Sequence, residues 1–350
     1  MCTGIRLTAD NGDIVYARTM EFDTPLPECI GYFPRGQKFV GDTSSGTDGM
    51  AWTNTYAFGG NVTIVGGTHS LGSDAINEKG LVAGVFNLPG FTEFSPVSDS
   101  NRDKAIASWQ VVLYLLGNYA TTEEAEAALL SGDVVVVDTE FPFTPATKGQ
   151  LPLHLRVGDA SGKTLVVEWH TPNQPPTIIE SPGGCVTNLP RFEFHLDNWQ
   201  HFKSLSPYNP AGPFTAGGSQ SYKMTMGNGY VGMPGGSNSP DRFIRASLYA
   251  RDSYTDKTGA EAVWTAWHVM NNFDLPRGIL RNVTDTGVES TEYTLWTSVA
   301  DTKNLKYYYR VHENPAIYEL NLNDQDPTGT TFLIDDRPSN APIVTVPAEF

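Results

Sequence analysis

The 350-residue chain is poor in basic residues and in cysteine, and it has no long apolar run. Lys and Arg number 23 against 39 Asp and Glu, a formal net charge of −16. Nucleic-acid binding needs clustered Lys and Arg for phosphate contacts, so this balance argues against it. The acidity reads instead as a well-solvated surface. The stretch Val111 to Leu116 is far short of the roughly 20 apolar residues that span a bilayer, so no membrane partner is expected. The cysteines are Cys2, Cys29 and Cys185, an odd and low number that fits a reducing compartment without a disulfide framework. The first residues show no basic region followed by a long apolar run; no secretory signal is read, and a cytoplasmic location is expected.

Familiar motifs are also missing or empty. No G-x-S-x-G elbow occurs, which removes the α/β-hydrolase serine. Gly227 to Gly232 matches G-x-G-x-x-G, but Met233-Pro234-Gly235-Gly236 follows and cannot open a helix, so it reads as a loop. The histidines are scattered, and His195 with His201 lacks an acidic third ligand. No metal and no cofactor are expected.

What is present is a globular composition, 39% hydrophobic and 11% aromatic. Residues 2–9 and 13–18 read as strands joined at Asn11-Gly12, a strong hairpin signal. A two-residue loop there pairs Asp10 with Asp13, which sets Cys2 opposite Glu21. Helices are predicted over 103–118, 121–131, 241–254 and 258–272, with Thr121 and Glu124 forming a capping-box signature. Strands are predicted at 151–157, 164–170, 176–180, 293–300, 305–312 and 316–322. Residues 188–240 are rich in Gly, Pro, Ser and Asn and show little periodicity. The last 25 or so residues read as an extended polar tail, from about position 325 to 350. Strands, helices, strands, then helices and strands again imply an α+β fold with antiparallel sheets rather than alternating βαβ units.

Cys2 carries the chemistry. Removal of Met1 would leave it with a free α-amine. A free thiol has a pKa of roughly 8.5 and an α-amine about 7.7 to 8.0, so one residue would hold both nucleophile and base. The amine could take the thiol proton and later protonate a leaving amine. Arg18 and Glu21 lie on the hairpin's second strand. An arginine nearby favours the thiolate, and a carboxylate could orient the amine. Strict alternation puts Arg18 and Glu21 on opposite faces, so a bulge or bend is expected. Asp23, on the face of Glu21, could replace it.

At these residues the sequence resembles the choloylglycine hydrolase family, which includes bile salt hydrolases, penicillin V acylases and acyl-homoserine lactone acylases. The resemblance rests on Met1-Cys2-Thr3-Gly4, Ala17-Arg18-Thr19-Met20-Glu21, Ala75-Ile76-Asn77-Glu78-Lys79-Gly80-Leu81, Phe86-Asn87-Leu88-Pro89-Gly90, Val186-Thr187-Asn188-Leu189-Pro190 and Ser239-Pro240-Asp241-Arg242-Phe243-Ile244-Arg245, in order. It implies a single amino-terminal nucleophile hydrolase domain over 2–350, built as a four-layer αββα sandwich. It implies Cys2 as nucleophile, Arg18 beside it, Glu21 at a position usually held by Asp, Asn87 and Asn188 around the oxyanion, and Arg242 as a second active-site arginine. Phe22, Leu26 and Phe86 are expected to border the substrate. The expected partner is a small N-acyl amide, with acyl-homoserine lactones or penicillin V slightly preferred over bile salts. A catalytically silent ligand-binding homologue is the rival. A homotetramer is expected, assembled partly through residues 195–232, whose aromatics lack a periodic face of their own.

Overall fold

The computed structural model describes residues 1–24, 26–65, 69–141, 149–209, 214–215, 221–222, 227–283, 287 and 289–334. In chain order, the strands of the main sheets are β1 (Cys2–Thr8), β2 (Ile14–Phe22), β3 (Glu28–Phe33), β4 (Phe58–Val65), β5 (His69–Asn77), β6 (Val82–Asn87), β7 (Leu153–Gly158), β8 (Thr164–Glu168), β9 (Thr177–Glu180), β10 (Leu280–Val283), β11 (Glu289–Asp301), β12 (Lys306–Val311), β13 (Asn314–Asn321) and β14 (Phe332–Ile334). The helices are α1 (Val111–Asn118), α2 (Thr122–Ser131), α3 (Phe192–Phe202), α4 (Ser239–Asp252) and α5 (Gly259–Met270).

One sheet runs β1-β2-β11-β12-β13, with β10 also paired to β11. The other runs β9-β8-β7-β6-β5-β4-β3-β14. Neighbours in both are antiparallel. Helix α1 lies on β5 and β6, while α4 lies on β1 and α5 on β2 and β11. The outcome is helix, sheet, sheet, helix. Each interface buries its own apolar set. Leu71, Val85 and Leu155 meet Val112 and Leu116 of α1. Tyr16, Ile30, Ile76, Val82, Ala300 and Tyr307 fill the space between the sheets. Ile5, Val15 and Ala17 meet Ile244 and Val263 of the other helical layer. Alternation along each strand is what allows both faces to be apolar and buried.

The hairpin differs from its predicted register by one residue. Ala9 N–H donates to Asp13 O and Gly12 N–H to Ala9 O, so the loop has three residues, and Gly12 sits at φ 87°. Cys2 therefore lies opposite Met20, and Gly4 opposite Arg18. Directly opposed residues share a face, so Cys2 and Arg18 point the same way and no bulge is needed between them.

Three other expectations change. Residues 103–118 are not one helix: Ala105–Ala107 is a strand paired in parallel with Val135–Val137, and only Val111–Asn118 is α-helical. The irregular region contains a full helix, α3. The polar tail, expected from about 325, contains a short strand, β14, on the edge beside β3; residues 335–350 lie outside the described residues. Among the described residues, no helix is long and apolar enough to cross a membrane.

Candidate active site

Cys2 opens an edge strand, and its two ends face different layers. Its sulfur faces the space between the sheets, because it shares the face of Arg18. Arg18 is wholly buried and donates through Nη2 to Cys2 Sγ at 3.0 Å. The same guanidinium donates through Nη1 to Val85 O at 2.7 Å and Ser73 O at 3.0 Å. It stacks 4.2 Å over the Phe86 ring. Asp74 supplies counter-charge to Arg18 at 3.9 Å and to Arg156 at 3.6 Å. A buried charge is costly unless paired and hydrogen-bonded, and this group is both. Gly84 makes room for it: a Cβ there would collide with Asp74 Oδ1 and Arg18 Nη1.

The backbone of Cys2 is held from the helix side. Its N–H donates to Asn188 Oδ1 at 2.8 Å. Arg242, buried in the first turns of α4, donates through Nη1 to Cys2 O and through Nη2 to Asn188 Oδ1 at 2.8 Å. Burial pulls the Arg242 guanidinium below its ordinary range, against the opposing pull of Glu21. Asn188 gives one hydrogen of Nδ2 to Asn87 O at 2.8 Å. A side-chain amide has two such hydrogens, so a second donor is left at the site.

Glu21 lies on the other face of β2 from Arg18, opposite Met1 rather than Cys2. Glu21 N–H donates to Met1 O at 2.8 Å. Its buried carboxylate accepts from Thr294 Oγ1 at 3.0 Å, across from it on β11. Burial raises the Glu21 carboxyl, and the charges of the amino terminus and Arg242 counter part of that rise. Asp23 is exposed and bonds only locally, to Thr24. Among the described residues the Met1 amine donates to the backbone O of Glu21 at 2.5 Å and to Glu292 Oε2 at 2.6 Å, and to neither the Glu21 nor the Asp23 carboxylate.

A mostly apolar pocket opens beside the sulfur, lined by Met1, Cys2, Met20, Phe22, Leu26, Leu71, Val85, Phe141, Leu151 and Leu153, with Glu21, Ser73 and Asn87 as polar points. Phe22 and Leu26 thus stand where substrate-bordering residues were expected. Phe86 does not: strand alternation turns it under Arg18, where it is fully buried. A larger cleft, lined by Arg6, Cys185, Trp199 and Tyr254 among others, touches none of Cys2, Arg18, Asn188 or Arg242.

Sequence reasoning missed Met20, Asp74, Arg156 and Thr294. Met20 Sδ is 3.6 Å from Cys2 Sγ. Asp74 directly precedes Ala75-Ile76-Asn77, and Arg156 sits in the middle of an apolar strand; a charge in such a place was the available signal. Among the described residues no cluster of metal ligands occurs.

Comparison with known proteins agrees with this architecture. Residues 2–335 match the family described as linear amide C–N hydrolases, choloylglycine hydrolase family. The bile salt hydrolase/transferase of Clostridium perfringens is 28% identical over 331 residues, 94% of each chain. The penicillin V acylase of Pectobacterium atrosepticum is 26% identical over 330 residues, 88% of this chain and 77% of that one. The crystal structure of the C2A mutant of conjugated bile acid hydrolase from Clostridium perfringens superposes with a TM-score of 0.84 at 25% identity, covering 99% of this chain and all of that one. The chain belongs to the choloylglycine hydrolase family and is a linear amide C–N hydrolase.

Proposed function

We propose that this enzyme, once Met1 is removed, cleaves N-acyl amides bearing an uncharged apolar acyl group, through a thioester on Cys2. The observation that supports this reading is the place of Cys2 itself. Its sulfur meets a guanidinium at the edge of an apolar pocket, while its nitrogen meets a polar clamp. In the structure Met1 precedes Cys2, so that nitrogen is a peptide N–H. Loss of Met1 would turn it into an amine.

In the proposed cycle the amine takes the thiol proton, and the sulfur attacks the amide carbon. The oxyanion falls to the second Nδ2 hydrogen of Asn188 and to the backbone at Asn87. A single aimed donor of this kind contributes about 2.7 to 4 kcal/mol to the transition state. The amine then protonates the leaving nitrogen. Water attacks the thioester and releases the acid. Glu21 and Arg242 orient the amine and the Cys2 carbonyl, and none of these steps calls for a cofactor.

The pocket wall is mostly aliphatic and aromatic, with Glu21, Ser73 and Asn87 as its polar points, which suits an apolar acyl chain. The relatives compared above carry bile salt and penicillin V names, and none supports the acyl-homoserine lactone expectation. A panel of conjugated bile salts, penicillin V and acyl-homoserine lactones tests the reading, with intact mass to confirm loss of Met1. Turnover of an apolar acyl amide, with an acyl adduct on Cys2 after rapid quenching, supports it. Processed protein that binds such amides without turning any over would establish the silent homologue instead.

A further inference from the structure

Behind the clamp lies a buried polar cluster that the steps above do not use. Glu168, at the end of β8, is 1% exposed, as is His154 on β7. Glu168 Oε1 meets His154 Nδ1 at 3.2 Å, and Oε2 meets His170 Nε2 at 3.0 Å. The carboxylate also accepts the backbone N–H of Phe192, the first residue of α3, at 3.1 Å. On its other side, His154 Nε2 is 3.1 Å from Thr187 O, and His170 Nδ1 is 2.8 Å from Phe91 O.

All four ring nitrogens therefore face acceptors. Backbone carbonyls only accept, and so does an ionised carboxylate. Two neutral imidazoles hold one N–H each, so satisfying every contact takes more protons than they carry. Burial works to raise the Glu168 carboxyl, but hydrogen bonding from His154 and the charges of both rings hold it below the usual glutamate range.

The next residue after Thr187 is Asn188. Its backbone N–H donates to Ser239 Oγ at 2.8 Å, and its carbonyl accepts from His195 Nε2 at 2.9 Å. Burial pushes the His195 imidazolium down to about 4, so a neutral ring donates there. The segment carrying Asn188 is thus held by main-chain contacts on both sides, one of which is His154 on Thr187.

We infer that His154 and Glu168 are positioning residues that fix Asn188 for oxyanion contact by gripping the Thr187 carbonyl and the start of α3. The inference rests on the reading that Asn188 serves the oxyanion. It places specificity for the transition state, rather than for the ground-state substrate, in a cluster with no contact to the pocket.

The test compares kcat and KM for His154→Leu, His154→Gln and Asn188→Ala in processed enzyme on one hydrolysed amide. Loss of a contact made only in the transition state lowers kcat and spares KM. Leu removes the donor to Thr187; the amide of Gln can replace it. His154→Leu is expected to lose kcat about tenfold or more with KM within about twofold, and His154→Gln to recover most of it. Should His154→Leu fail to fold, Glu168→Gln and Glu168→Ala carry the same comparison: Gln still contacts the ring, Ala releases it. A folded His154→Leu with wild-type kcat, or equal kcat in the two Glu168 variants, overturns the inference. The oxyanion reading fails separately, if Asn188→Ala keeps wild-type kcat.

Discussion

Cys2 is 2% exposed, which is unusual for a nucleophile until its two environments are separated. The sulfur sits with Arg18, Met20 and the apolar pocket, and the nitrogen with Asn188. Only this residue supplies both groups that the proposed cycle needs. Cys2→Ala is expected to lower kcat about 10⁴-fold or more with the melting temperature unchanged. Substantial turnover by Cys2→Ala would end the mechanism. Cys2→Ser should lose Met1 normally yet turn over more slowly, because a hydroxyl is harder to deprotonate than a thiol. Glu21 allows a sharper test, since its effects on activity and stability have opposite signs. Its carboxyl is raised in the fold, mainly by burial. A raised carboxyl means the folded state prefers the proton; that preference stabilises at low pH and is lost as pH rises through the folded value. Gln has no proton to lose. Glu21→Gln should therefore gain thermal stability over wild type between pH 4 and 7, while kcat falls about 10- to 100-fold with KM nearly constant. Melts at both pH values and steady-state kinetics check this. Asp23→Asn is expected to do neither, being exposed and away from the terminus.

The hairpin of β1 and β2 shows how one turn residue sets the chemistry. Its loop closes with Gly12 at φ 87°, a conformation that costs other residues strain. Gly12→Ala is expected to lose about 1 kcal/mol in denaturant unfolding, read as a lower midpoint at constant slope. Its kcat should stay unchanged, because the loop is at the far end of the strands from Cys2. The Asn11-Gly12 pair announced the hairpin, but not whether two or three residues formed its loop. That single residue decides whether Cys2 faces Arg18. Local signals served well where they were self-contained. Thr121 caps α2 by accepting from Glu124 N–H, and the helices near 241 and 258 begin within two residues of their predicted starts. They failed where pairing partners lie far along the chain. Ala105–Ala107 takes part in a pairing with Val135–Val137 that no helical pattern reveals. The strands β5 and β6, at the centre of the larger sheet, carry Gly and polar residues at buried positions and gave no clear alternation. The residues that gather around Cys2, namely Arg18, Asn188 and Arg242, lie within the motifs. Their supports, Asp74, Arg156, His154 and Glu168, were not, because each depends on contacts made across sheets.

At the scale of the whole molecule, assembly follows from what the segment near 195–232 does with its aromatics. The expectation was that they lack partners within their own chain. The structure narrows that. Trp199, Phe202 and Tyr230 pack against the core beneath α3 and α4, and Tyr230 also donates to Asp252 at 2.7 Å. Tyr208 is 80% exposed and Val231 74%. Phe214–Thr215 and Ser221–Tyr222 form a short antiparallel pair whose side chains lie outside the described residues. We propose that the exposed Tyr208 and Val231 belong to an interface in a symmetric tetramer, as the family resemblance implies for a long segment here. Exposed Tyr is enriched in interface cores, and closed symmetry is the usual outcome for soluble homo-oligomers. Each chain brings a net charge of −16, so assembly sets like charges close together and should tighten as salt screens them. Light scattering at micromolar concentration decides the matter at near-physiological and at low salt. A mass near 38.2 kDa under both conditions would exclude the tetramer, and one about four times larger would support it. Tyr208→Glu should lower that mass without lowering kcat, because the residue is in neither the pocket nor the clamp. If the mass falls and activity falls with it, the interface contributes to the site, and the proposed independence of assembly from catalysis is wrong.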